Sequence, residues 1–439
     1  MKPPSAIQFK NTKTFVVWNN KGGMGKSTLI FNIVCEYALQ FPDRKFLVID
    51  MCPQANSTAF FLGGRTGVQK AEKLMQLDES VENEDEIKTI YGYIARVVDG
   101  KRDVDPNKYL ITPGIFVEGR KVPKNIQLLC GDRALDLAAP FLEQEAQRVS
   151  IMDKIDRFHH VHSVIREFIF KVTEDSDKWV VFVDANPAFT IYTRIALCSA
   201  NELLVACNAN EFSTNAIKVI TGLLSDYDGN KPPYNVDTFA TLAKMHGLVL
   251  PKLRLVIANR FMISEENTPL LYQEEQLRLA KNFIEVLRNS ERDFLQKVRV
   301  SKGNYITGTS ITDEQFATYC TCIVPMFHSA IAYSSYSGEP ISTMNNGTYS
   351  FEGKQAQLSP YSIIGSSWAI QYVVCLLEQE ISDFKYAKVR YEMGNESKYV
   401  VRKRPIPLRY KYRDLKCINE EEIVYVDDTA QRRRKFYKK

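Results

Sequence analysis

The chain has 439 residues, of which 45% are hydrophobic, 11% aromatic and 25% charged. Those proportions fit an ordinary buried core and exclude a disordered, collagen-like or disulfide-knotted protein. The net charge of +5 is unevenly placed: from Val401 to Lys439 thirteen Lys and Arg stand against six Asp and Glu, so this tail carries +7 and the remainder −2.

No stretch approaches the roughly 18 consecutive apolar residues of a membrane helix. The nearest, Ser362–Leu377, is broken by Gly365, Ser366, Ser367 and Gln371. The start, MKPPSAIQFKN, has no signal-peptide core, so a cytoplasmic protein with no membrane partner is expected. Nine scattered cysteines without a C-x-x-C pair suit a reducing compartment and argue against a zinc site or a disulfide framework. Cys320 and Cys322 are expected to alternate across a strand.

After a leader over 1–12, Thr14–Asn19 (TFVVWN) reads as a buried strand stopped by a glycine-rich turn. From Ser27 to about Phe41, Leu29, Ile30, Ile33, Val34, Tyr37 and Ala38 recur at helical spacing, with Pro42 just beyond. Phe46–Asp50 (FLVID) is a second apolar strand, ending in a carboxylate. Residues from about 63 to 123 form an elaboration, with an acidic loop (Asp78, Glu79, Glu82, Glu84, Asp85, Glu86) and a helix through Tyr91–Val98. Further short apolar strands are expected at Asn125–Cys130, Trp179–Asp184, Glu202–Cys207 and Leu253–Ala258, and one ending at Ile323–Val324. This rhythm predicts an α/β fold over 13–381, a doubly wound, mostly parallel sheet flanked by helices. A basic C-terminal extension occupies 382–439.

The strongest motif lies between the first strand and the first helix: Lys21, Gly22, Gly23, Met24, Gly25, Lys26, Ser27, Thr28. Glycines there let backbone N–H groups turn toward phosphate oxygens, and the helix N-terminus adds partial positive charge. Lys26 would neutralise the β- and γ-phosphates and Ser27 would offer its hydroxyl to Mg²⁺. Asn20 stands where the standard pattern has its first glycine, and a second lysine, Lys21, heads the loop.

This octet resembles the deviant Walker A motif, KGGxGK[ST][ST], of the ParA/MinD family of P-loop ATPases, with closest agreement to ParA-type partitioning proteins. Phe46–Asn56 (FLVIDMCPQAN) resembles the family's hydrophobic-DxDPQ segment, and Trp179–Pro187 (WVVFVDANP) its Walker B strand. Asn125–Leu135, Leu203–Asn215, Ile323–Pro325 and Gly338–Ile341 are similar to further family segments. The resemblance implies ATP and Mg²⁺ as cofactors. It also implies a homodimer closed by ATP, in which Lys21 reaches the partner's phosphates, and an activating partner of ParB type. It makes Asp184 the Walker B carboxylate, Ser27, Asp50 and Asp184 the metal group, and Asn259 an adenine contact.

One position departs from the pattern. Where the family has the second Asp of DxDPQ, which positions the attacking water, this chain has Cys52. A thiol with an ordinary pKa of about 8.5, raised further beside a triphosphate, is a poor replacement. Hydrolysis is therefore expected to be slow or to depend on a partner, with nucleotide affinity retained and Asp50 as the carboxylate that could still rescue turnover.

In the tail, Leu408–Arg413 (LRYKYR) alternates aromatic or apolar with cationic residues. With Arg402, Lys403, Arg404 and the terminal RRRKFYKK it reads either as a footprint for nucleic-acid backbone or as a solvated edge strand. His159, His160 and His162 cluster, but without a third ligand on a matching face they read as a polar helix surface. Two functions follow: an ATP-dependent dimerising switch that binds DNA non-specifically or positions a cargo, or an ATP-stabilised scaffold of a mobile-element or defence-like module with vestigial hydrolysis. A ligase or synthetase on the same fold is disfavoured, because such relatives generally lack the lysine at the head of the loop.

Overall fold

The computed structural model describes residues 7–9, 11–64, 87–100, 104–116, 121–148, 155–176, 178–208, 214–224, 238–261, 277–278, 280–285, 294–301, 304–307, 310–325, 328–345, 347–351, 353–358, 360–378, 384–393, 396–407 and 424–426. The acidic run Asp78–Glu86, the alternating segment Leu408–Arg413 and the terminal basic cluster lie outside these residues.

The strands are β1 (Lys13–Trp18), β2 (Lys45–Asp50), β3 (Ile126–Leu129), β4 (Trp179–Asp184), β5 (Glu202–Asn208), β6 (Lys252–Phe261), β7 (Val298–Ser301), β8 (Asn304–Ile306), β9 (Thr321–Pro325), β10 (Gly347–Phe351), β11 (Lys354–Leu358), β12 (Phe384–Met393), β13 (Glu396–Pro407) and β14 (Val424–Val426). Seven of them make one sheet in the order β3-β2-β4-β1-β5-β6-β9. Every pairing in it is parallel.

Such strands are buried on both faces, which is why they read as continuous apolar runs. Successive side chains still point to opposite faces. In β4, Val181 and Val183 enter one core while Val180 and Phe182 enter the other, and in β1 Val16 and Trp18 divide from Phe15 and Val17 in the same way.

Helices α1 (Lys26–Gln40) and α2 (Asn56–Phe61) cover one face. Helices α3 (Ile90–Val98), α4 (Ala134–Gln147), α5 (Arg157–Thr173) and α6 (Ile191–Ser199) contribute to the other. Beyond α7 (Thr214–Leu224) and α8 (Phe239–Met245), α9 (Asp313–Tyr319) leads into β9, and α10 (His328–Ser337) precedes α11 (Pro360–Glu378). Helix α11 packs Ala369, Val373 and Leu376 onto the face that α1 covers. Among the described residues no helix is long and apolar enough to cross a membrane.

In the C-terminal extension β12 pairs antiparallel with both β13 and β14, and Arg402–Arg404 lie in β13. Two sequence readings need revision. Cys320 is not a strand residue. It closes α9, whose start is fixed by a capping box between Thr312 and Gln315, so that Cys320 and Cys322 enter opposite cores. The histidines do not share an exposed surface: His162 is fully buried, donates from Nδ1 to the Phe158 carbonyl at 2.8 Å, and stacks on the Phe158 ring at 4.1 Å.

Candidate nucleotide site

The order of strands places the site. From β1 the chain moves to β2 on one side, and from β4 it moves past β1 to β5 on the other. In open α/β sheets the crevice beyond the carboxyl ends at such a reversal is where ligands bind. The loop 19–25 leaves β1 here, and Asp50 and Asp184 end β2 and β4 in direct register.

Gly23 and Gly25 take left-handed conformations, with φ of 76° and 77°. A side chain at Gly25 is barred twice over, because a Cβ there would lie 2.4 Å from the Asn259 amide nitrogen. That nitrogen donates to the Met24 carbonyl at 2.9 Å, so Asn259 braces the loop in addition to bordering the cleft beside it. At the base of the loop, Asn19 donates to the Ala206 carbonyl at 2.7 Å and accepts from the Lys21 backbone N–H at 3.2 Å. Trp18 Nε1 donates to the Asn186 carbonyl at 3.0 Å, joining the end of β1 to the segment after β4. Lys21, Gly22 and Gly23 are exposed, Met24 and Lys26 buried, and Ser27 and Thr28 half-buried.

Below the loop sits a charged cluster that is nearly closed to solvent. Burial holds the Lys26 ammonium below its ordinary pKa, against the opposing pull of Asp184 and Cys52. Burial, and then the adjacent Asp184, push the Asp50 carboxyl above the usual carboxylate range. Asp184 is also raised by burial, while the hydroxyls of Ser27 and Ser57 and the charge of Lys26 draw it back. Cys52 is 6% exposed, and burial followed by Asp50 and Asp184 pushes its thiol up to about 12.

Each carboxylate is held in place. Asp50 Oδ1 accepts from the Cys52 N–H at 3.1 Å, and its Oδ2 accepts from both the N–H and the hydroxyl of Thr58 at 2.8 Å. The Thr58 hydroxyl in turn accepts from the Gly131 N–H at 2.8 Å. Gly131 has no room for more: a Cβ there would lie 2.9 Å from Asp50 Cγ. Ser57 Oγ donates to Asp184 Oδ2 at 2.6 Å. Ser57 and Thr58 escaped the sequence reading, which followed the segment only as far as Asn56, and Gly131 lay within Asn125–Leu135 without being singled out. The available signal was the pair of hydroxyls directly after Asn56.

Two buried carboxylates side by side, flanked by one hydroxyl of the phosphate loop, suit a hard divalent cation with oxygen ligands. Among the described residues there is no cluster of His, Cys, Asp and Glu of the kind that forms a dedicated all-protein metal site. A Mg²⁺ at this place would therefore lean on phosphate oxygens and water, as Mg²⁺ commonly does.

A cleft beside the loop is lined by Gly25, Thr28, Leu29, Asn259, Ile341 and Ile370. Its far wall is fixed by Asn32, which donates to the Thr28 carbonyl at 3.0 Å and accepts from the Ile341 N–H at 2.9 Å. Mostly apolar walls next to a phosphate loop suit a flat heterocyclic base.

A family model described as an AAA domain matches residues 12–228. Among solved structures, the chain is similar to the ATP complex of a McdA variant from Cyanothece (18% identity, TM-score 0.41, covering 64% of this chain and 82% of that one). It is also similar to a plasmid partition protein from Borrelia burgdorferi (20% identity, TM-score 0.36, 64% and 87% covered). A third similarity is to cobyrinic acid a,c-diamide synthase from Mycobacterium smegmatis with a bound ATP analogue and magnesium (16% identity, TM-score 0.38, 70% and 93% covered).

Proposed function

Through residues 12–228 the chain belongs to the ParA/MinD-type P-loop ATPases, and on that premise we propose that it binds ATP with Mg²⁺ and works as an ATP-dependent dimerising switch whose hydrolysis is slow or partner-stimulated. Its use would be the positioning of DNA or another macromolecular cargo. Backbone N–H groups of Gly22–Thr28 and the Lys26 ammonium hold the phosphates, and the base enters the cleft beside Asn259. Ser27, Asp184 and Asp50 hold Mg²⁺, which supplies charge neutralisation between the phosphates. Lys21 would reach out of its own protomer toward a partner's phosphates, a role its exposure at the head of the loop supports.

Cys52 carries the argument on rate. Its thiol stays protonated at neutral pH and is closed off from solvent, so it neither accepts a proton from water nor orients one as a carboxylate would. Asp50 does not replace it readily, since three protein donors already fix its oxygens. The same observation favours a second reading, in which ATP holds a long-lived dimer as a scaffold for a partner and turnover is vestigial.

Light scattering with ADP and with ATP, together with phosphate release from the same samples, tests the proposal. A dimer that forms with ATP, is lost in Lys21→Ala and releases phosphate slowly is the expected result. Cys52→Asp should accelerate release at least tenfold, given that a positioned base contributes about 10²–10⁴. Brisk release that Cys52→Ala leaves unchanged would overturn the role given to Cys52. DNA binding that requires ATP, weakens with salt and disappears on deletion of 401–439 would favour the switch with a DNA-bound cargo over the scaffold.

A further inference from the structure

We infer that Ser57 is a positioning residue for the metal-binding carboxylate Asp184, and that through it helix α2 reports the state of the metal site. The inference rests on the reading that the site holds Mg²⁺ with a nucleotide.

Three observations carry it. Ser57 is fully buried and its hydroxyl donates to Asp184 Oδ2 at 2.6 Å, across 127 positions of sequence. The Ser27 hydroxyl of the phosphate loop also draws the Asp184 carboxyl down against the effect of burial, so the carboxylate that Ser57 holds is the one that faces the loop. The chain also adopts an unusual backbone to bring Ser57 there: Ala55 has φ of 51°, in the left-handed region that residues with a Cβ seldom enter. Ala55 turns the segment after Cys52, its N–H bonding the Cys52 carbonyl at 2.9 Å, so that α2 begins at Asn56 and aims successive hydroxyls at the two carboxylates. Strain retained at such a place is characteristic of sites where function fixes the geometry.

A hydroxyl donated to one oxygen of a carboxylate fixes its rotation and leaves the other oxygen for the cation or its water. Groups that orient a metal-binding side chain in this way usually contribute about 10–100-fold to metal affinity or activity. Helix α2 is also connected onward. It leads to Gly63 and Gly64, whose backbones run so close to Gly338 that a Cβ at Gly338 would lie 2.6 Å from Gly63, and a Cβ at Gly64 would lie 2.1 Å from the Tyr336 carbonyl. The segment after Gly338 supplies Ile341 to the base cleft. A shift of Asp184 on metal binding therefore has a mechanical route to α2 and to the cleft wall.

The test compares ADP affinity by calorimetry in excess Mg²⁺ and in EDTA, for the unaltered chain, Ser57→Ala and Ser57→Cys. Expected is an unchanged affinity in EDTA for both variants, which reports an intact fold and phosphate loop, with the Mg²⁺-dependent gain reduced by up to about tenfold. Ser57→Cys keeps the volume and weakens the donor, and it decides the matter if Ser57→Ala does not fold. A full Mg²⁺-dependent gain in either folded variant overturns the role of Ser57 while leaving the nucleotide reading standing. An unaltered chain that binds ADP equally in Mg²⁺ and EDTA overturns the metal reading, and the Ser57 role with it.

Discussion

At the scale of single residues, His162 shows how burial converts a titratable group into a pH dependence. Burial, together with the charges of Arg194, His246 and His159, holds its pKa down to about 3, against the opposing bond to the Phe158 carbonyl. An unfolded histidine takes up its proton near 6.5, whereas this one does so only near 3. Its contribution to stability is therefore fully present above pH 6.5 and declines by about 1.4 kcal/mol per pH unit as the pH falls toward 3. Asp156 behaves separately. Burial would raise its pKa, but hydrogen bonds from the His159 N–H and the His246 ring outweigh that and lower it, so its contribution is lost only at more acid pH. Urea midpoints at pH 7.0 and 5.5 should differ less for His162→Gln than for the unaltered chain, by about one proton's worth of slope. Equal slopes would show that the ring is not held neutral.

At the scale of elements, α11 is fastened to the sheet at its last turn. The Glu378 carboxylate, 5% exposed, accepts from Lys13 Nζ at 2.7 Å and from the Arg44 guanidinium at 2.6 and 3.0 Å, joining the helix to the start of β1 and to the turn before β2. Lys13 and Arg44 are 31% and 24% exposed, which screens the pair below the roughly 3–5 kcal/mol typical of breaking a fully buried one. Glu378→Gln should cost about 2 kcal/mol in thermal or urea unfolding, and a change under 0.5 kcal/mol would mean that apolar packing alone holds α11. Most of the central strands were legible because β1, β2, β4, β5 and β6 are continuous apolar runs, and because the glycine octet fixed where β1 stops and α1 starts. The end of α9 was not legible: Cys320 sits among residues that read as strand, and the capping box at Thr312 that sets the helix in register lies eight residues upstream. His162 was misread for a related reason. Polar side chains at 159, 160 and 162 suggest a wet face, yet stacking on Phe158 and a carbonyl partner make one of them a core residue.

At the scale of the whole molecule, the phosphate loop and its two carboxylates come from sequence-local motifs and could be recognised one at a time. The geometry that joins them could not. Ser57 and Asp184, or Asn259 and Met24, meet only because the sheet order brings β2, β4, β1 and β6 together, and no spacing rule encodes those long-range bonds. The cleft beside the loop is the clearest case, since it draws on α1, β6, the Gly338–Ile341 segment and α11, which span most of the chain.

The same cleft has a consequence for any shorter version of the protein. The stretch matched by the family model stops at residue 228, before β6, β9 and α11. Cut there, the polypeptide would keep its lysines, its glycine loop and both carboxylates, but β5 would be left as a raw sheet margin with the unpaired N–H and C=O groups of Glu202–Asn208 facing outward. Such margins recruit other strands and aggregate. Asn259 would also be gone, leaving the Met24 carbonyl unbraced and the cleft beside the loop without one of its walls. On the proposed reading, the minimal nucleotide-binding unit of this chain is thus longer than its signature motifs suggest, and the span from β6 to α11 would belong to it as much as the glycine loop does.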